Sequence, residues 1–93
     1  MPWFKIELAA SSNIAGNGFK LQEEFDKIYG SLQIPHLGLC GDLNDDGSVL
    51  YFMHVPAQSE SLLKAFLASW SATSCDKPSG RHAFISGDDN VCK

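Results

Sequence analysis

Apolar and polar positions change their period several times along the 93 residues, and each change marks an element. Residues 3 to 8 set Phe4, Ile6 and Leu8 on one side and Trp3, Lys5 and Glu7 on the other, the two-residue alternation of a strand. Ala9 to Gly18 is small and polar, with Ser11, Ser12, Asn13, Gly16 and Asn17, and reads as a loop. From Phe19 the spacing lengthens: Leu21, Phe25, Ile28 and Leu32 share one helical stripe. Asn17 is the expected N-cap, Glu23 and Lys27 are an outward pair four apart, and Gly30 offers a stop, so a helix is predicted over 18–32.

Alternation returns over 36–43, with Leu37, Leu39 and Leu43 opposite His36, Gly38, Cys40 and Asp42, the pattern of an edge strand. Asn44, Asp45, Asp46 and Gly47 make a hairpin turn. The strand that follows, 48–55, differs from the others because Val49, Leu50, Tyr51, Phe52, Met53 and Val55 are apolar on both faces. Pro56 ends it. A second helix is predicted over 60–71, with Ser59 as cap and Leu62, Leu63, Phe66, Leu67 and Trp70 as its stripe. Residues 73–80 read as a loop, 81–86 as a fourth strand, and 87–93 as a polar tail that frays.

Strand, helix, strand, strand, helix, strand is the order of a ferredoxin-like βαββαβ sandwich. The expected architecture is therefore α+β: a four-stranded antiparallel sheet with two helices on one face, forming a single domain over 1–93. Its central strands are the first and third. One face of the doubly apolar third strand is then covered by helices, and the other is left open.

Composition narrows the partners. Eleven acidic against seven basic residues give a net charge of -4, which repels phosphate backbones and anionic lipid. Nucleic acid and membrane are not expected partners. The N-terminus has no basic stretch leading into a long apolar core, so a cytoplasmic location is expected. Cys40, Cys75 and Cys92 are an odd set without CxxC spacing, read as free thiols, with a Cys75–Cys92 clasp as the alternative.

Candidate chemistry is sparse. Asp42, Asn44, Asp46, Gly47 and Ser48 match positions 1, 3, 5, 6 and 7 of a calcium loop, and Val49 matches position 8. This opening resembles the first half of a dockerin or EF-hand loop. Position 12 is Met53 rather than a carboxylate, so a plain hairpin turn is the stronger reading and no cofactor is expected. A hairpin register pairing residues whose numbers sum to 92 puts His36, Cys40 and His54 on one face, in principle a zinc set. Surface or interface polar residues are the stronger reading. Cys40 lies within a strand and not at a helix N-terminus, which argues against a nucleophile.

The open face carries the functional expectation. Trp3, Lys5 and Glu7 share it with Leu50, Phe52 and His54, and a contiguous exposed apolar patch marks a partner surface. Aromatics on two central strands make this arrangement similar to the RNA-recognition motif, but the basic-residue-and-glycine start of that family's third-strand pattern is absent. The expected function is an interaction or regulatory module that self-associates or binds another protein. Trp3, Leu50 and Phe52 serve as anchors, with Lys5, Glu7 and His54 around them. Two alternatives remain. One is a dimeric α+β-barrel binder or enzyme using His36 or His54. The other is an acidic decoy displaying Asp42, Asp45, Asp46, Asp88 and Asp89.

Overall fold

The computed structural model describes residues 3–11, 16–80 and 82–92. Ser12 and Asn13 of the expected loop, Arg81 at the expected start of the last strand, and Lys93 of the expected tail lie outside them. The chain runs β1 (Trp3–Leu8), α1 (Asn17–Leu32), β2 (Gly38–Leu43), β3 (Val49–His54), two 3-10 turns (Ala57–Ser59 and Ser61–Leu63), α2 (Lys64–Ser69), β4 (Thr73–Cys75), β5 (Ala83–Gly87) and a C-terminal 3-10 turn (Asp89–Cys92). It is an α+β protein built on one antiparallel sheet of five strands in the order β4-β1-β3-β2-β5.

The central hairpin follows the expected register: Gly38 pairs with His54, Cys40 with Phe52 and Leu43 with Val49. That register sorts the faces. Phe4, Ile6, Leu8, Leu39, Tyr51 and Met53 join Leu21 and Phe25 of α1 and Phe66 and Leu67 of α2 in one buried cluster. α1 matches its predicted span, but its ends differ. Gly16, at φ 87°, precedes the first turn, and Asn17 is its first residue. The helix passes Gly30 and closes at Gln33, whose left-handed backbone lets its N–H donate to the Tyr29 carbonyl at 2.9 Å. Glu23 and Lys27 pair at 3.9 Å as their spacing predicts.

Three expectations are corrected. The sheet has five strands, because Thr73–Cys75, read as loop, pairs with β1, while Ala83–Gly87 pairs with β2 at the opposite edge. Its five residues reach β2 with an irregularity between Leu39 and Cys40 that spaces Ile85 as a bulge. The second helix is shorter than 60–71: Ser59 makes no side-chain cap, two 3-10 turns precede α2, and Leu62 is left exposed. Finally, residues 87–92 of the expected frayed tail are part of the fold. Gly87 closes β5, and the turn after it buries Cys92.

What holds that turn is a Cys40–Cys92 disulfide. It replaces both the free-thiol reading and the Cys75–Cys92 alternative; Cys75 is the free cysteine. The geometric reason lies in the sheet order. β4, which carries Cys75, and β2, with the C-terminal turn beside it, are separated by β1 and β3. Among the described residues no helix is long and apolar enough to cross a membrane.

Candidate interface on the second sheet face

Alternation from the fixed register places three cross-strand rows on the face away from the helices. The first runs Cys75, Trp3, His54, Gly38; the second Thr73, Lys5, Phe52, Cys40, Phe84; the third Glu7, Leu50, Asp42. The second row touches all five strands. These residues include every one the sequence assigns to the open face: Trp3, Lys5, Leu50, Phe52 and His54.

The face is only partly open. Trp3 is 6% exposed, and its ring meets the edge of His54 with centroids 5.1 Å apart. Leu50, Phe52 and His54 are half-buried. Two pieces of chain account for much of this cover. The C-terminal turn crosses β2, where Cys92 bonds to Cys40 and Val91 lies over Gly38; a Cβ on Gly38 would fall 2.1 Å from Val91 Cγ2. The segment before β5 lays His82 on Phe52, with ring centroids 4.9 Å apart.

His82 is fixed from both sides. Its Nδ1 lies 2.5 Å from Asp42 Oδ2 and its Nε2 3.0 Å from the Ser79 carbonyl. Each ring nitrogen thus faces one oxygen, which fixes the orientation of the imidazole above Phe52.

The other histidines are held as well. His54 Nδ1 donates to the His36 carbonyl at 2.6 Å, and His36 Nδ1 sits 3.5 Å from Asp88 Oδ2. His36 occupies the turn before β2, with φ 66°, and not the strand itself. Cys40 and His54 do share a face, but Cys40 sulfur is spent in the disulfide and offers no thiolate to zinc or to a substrate. Among the described residues no group of three or more His, Cys, Asp or Glu is placed to hold a metal ion.

The acidic turn is likewise self-satisfied. Asp46 Oδ1 accepts from the Ser48 N–H at 2.8 Å and the Ser48 hydroxyl at 2.6 Å, and Asn44 Nδ2 donates to Ser48 Oγ at 2.9 Å. These bonds hold the Asp46 carboxyl below the ordinary carboxylate range. Asp42 turns away to His82 and Asp88 faces His36 and the Asn90 N–H. The calcium-like spacing therefore builds a hydrogen-bonded hairpin end. A cleft of about 370 Å³ lies beside it, lined by Glu7, Leu8, Asn44, Ser48 and Leu50 among others.

Sequence reasoning missed His82, Phe84 and the covering turn. The available signal was Gly38, since a glycine inside a strand marks close approach by another segment. Phe84, 50% exposed, stands beyond Cys40 on the outer strand. On β1 Lys5 is half-buried and Glu7 exposed, with Lys5 Nζ 3.8 Å from Glu7 Oε1. Comparison with protein-family models, with curated proteins and with solved structures found no match.

Proposed function

We propose that the protein is a small interaction module, a ferredoxin-like sandwich extended by a fifth strand, that pairs with a second copy of itself across the β1–β3 part of its sheet face. The observation that carries this reading is the juxtaposition of half-buried Lys5 and exposed Glu7 on the same face, beside half-buried Leu50 and Phe52. Opposite charges two residues apart on a central strand are self-complementary. A two-fold axis near residue 6 sets Lys5 of one copy against Glu7 of the other, and the reverse, as an isologous contact requires. Leu50 and Phe52 supply the apolar centre; Trp3, already buried within its own chain against His54, borders that surface on the same face.

The barrel-like binder is the weaker reading, because Trp3, Phe52 and His82 fill the face where a substrate cavity belongs. The acidic decoy is weaker still, since Asp42, Asp46 and Asp88 are engaged within the chain. The disulfide supports an oxidising compartment rather than the cytoplasm.

The test is a charge swap, which leaves the core untouched. Wild type sediments as a dimer of the 10.1 kDa chain. Lys5→Glu places like charges across the axis and gives a monomer, and Lys5→Glu with Glu7→Lys restores the dimer. A wild-type chain that stays monomeric at every concentration, with the disulfide intact and with it reduced, overturns the reading, as does a double variant that fails to re-form the dimer while remaining folded.

A further inference from the structure

We propose that the Cys40–Cys92 disulfide is a reducible latch: it holds the C-terminal turn down across the sheet face, and reduction by a dithiol frees the turn and opens the face to a second copy of the chain. The inference rests on the self-association reading above and assigns a control to the same site.

Position is the first argument. Cys40 sits mid-strand with Phe52 opposite it on one side and Phe84 on the other. Cys92, bonded to it, therefore sits at the middle of the row that crosses from β3 to β5 through Phe52, Cys40 and Phe84. The turn also touches the segment before β5, because the His82 N–H donates to the Cys92 carbonyl. Lifting the turn removes that bond and leaves His82 held over Phe52 by Asp42 and the Ser79 carbonyl alone. In the latched state the face has an occupant from its own chain; in the open state the row Lys5, Phe52, Cys40, Phe84 loses that cover.

The second argument concerns what else holds the turn. Apart from the disulfide, two of the bonds that tie the turn are long, Val91 N–H to the Asp88 carbonyl and His82 N–H to the Cys92 carbonyl, both 3.4 Å, while the shorter ones gather at its start, where Asp88 N–H meets the Leu37 carbonyl at 2.9 Å and Asp88 Oδ1 accepts from the Asn90 N–H at 3.0 Å. A four-residue 3-10 turn adds little cooperativity of its own. Such a segment belongs to the low-stability end of the structure, where local opening exposes buried groups. Cys40, on a strand paired along both edges, is the fixed partner, and Cys92 is the one that moves.

The chemistry is thiol–disulfide exchange. A thiolate of the dithiol attacks Cys92 Sγ, the Sγ–Sγ bond breaks, and the electron pair leaves on Cys40, which takes up a proton. The second thiol of the reductant then displaces Cys92 from the mixed disulfide. Two electrons and two protons reach the cysteine pair, and the dithiol departs as its own disulfide. Cys75 stays outside the exchange, paired beside Trp3 at the far edge of the sheet.

Hydrogen exchange and sedimentation on the full chain test this in three forms: oxidised, reduced with dithiothreitol, and Cys92→Ser. In the latter two, amides 88–92 lose protection while β1 and β3 keep theirs, and dimerisation tightens at least about tenfold, as expected when a competent state is no longer rare. Gly38→Ala, which pushes Val91 off the strand with the disulfide intact, shifts dimerisation the same way. Unchanged protection at 88–92 on reduction overturns the latch, and so does loss of protection throughout the sheet. Lost protection with unchanged dimerisation overturns the control but leaves self-association standing. No dimer in any form overturns both.

Discussion

His82 covers Phe52: the two rings lie with centroids 4.9 Å apart and planes inclined by 52°, and the imidazole is tied to Asp42 on the neighbouring strand. This contact joins a segment near the C-terminus to the centre of the sheet. Its energy comes from the partly buried His82–Asp42 hydrogen bond and from the contact between the two rings. His82→Ala removes both, and Asp42→Asn removes the carboxylate while keeping the ring contact. With Asp42 substantially exposed, the expected loss is about 1–2 kcal/mol for His82→Ala and less for Asp42→Asn. Chemical denaturation monitored by tryptophan fluorescence measures it. Equal losses for the two variants would show that the ring stacking contributes nothing.

The disulfide closes a 52-residue separation. Loop entropy on that scale is worth about 4 kcal/mol when the native geometry is unstrained. The Cys40→Ser, Cys92→Ser double variant is expected to lose stability on that order in equilibrium unfolding, and the oxidised chain should titrate one thiol in denaturant. That thiol is Cys75, whose pKa burial pushes up, against the lowering effect of nearby Lys5. In the native chain it should therefore alkylate more slowly at neutral pH than an exposed cysteine, accelerating only as pH climbs past the ordinary thiol range. Two or three reactive thiols in the oxidised chain would contradict the pairing.

Two glycine replacements should move stability in opposite directions. Gly30 lies within α1, where a Cβ meets nothing within 4 Å, so Gly30→Ala is expected to stabilise by about 0.5–1 kcal/mol. At Gly38 the added carbon collides with Val91 and with the Asp88 carbonyl oxygen at 2.6 Å, and Gly38→Ala is expected to destabilise by about 1–3 kcal/mol. Thermal unfolding distinguishes the two signs directly. A neutral Gly38→Ala would mean that the C-terminal turn does not press on β2.

Local periodicity made the first strand, the long helix and the hairpin register legible, because each has a face pressed on the core and a slip exposes it. Phe4, Ile6 and Leu8 show this for β1, Leu21 and Phe25 for α1. The parts that escaped are set by contacts between distant positions. Thr73–Cys75 is three residues long, too short for any period to register, and is a strand only because β1 offers an edge. Which cysteines pair depends on which strand edge β5 takes, and pattern alone does not decide that. The face residues were legible as a set, from alternation; their cover was not, since Ser79, His82 and Val91 reach it by chain path and not by periodicity.

The hairpin turn provides a pH test whose sign is fixed by Asp46. Two hydrogen bonds from Ser48, the side-chain one the larger influence, favour the ionised carboxylate and lower its pKa on folding. A depressed carboxyl stabilises the fold above its unfolded pKa, and that contribution disappears as pH falls through the folded value. Near neutrality the turn is therefore fully supported, and acidification below the ordinary carboxylate range withdraws the support. Ser48→Ala removes the hydroxyl donor while keeping the backbone one, so its effect should be present at pH 7 and shrink in strong acid. Unfolding of wild type and Ser48→Ala across that pH range, with the Asp46 carboxyl followed by NMR, gives the comparison. The Asp46 resonance should titrate at higher pH in the variant; coincident titrations would mean that the Ser48 hydroxyl does not hold the carboxylate.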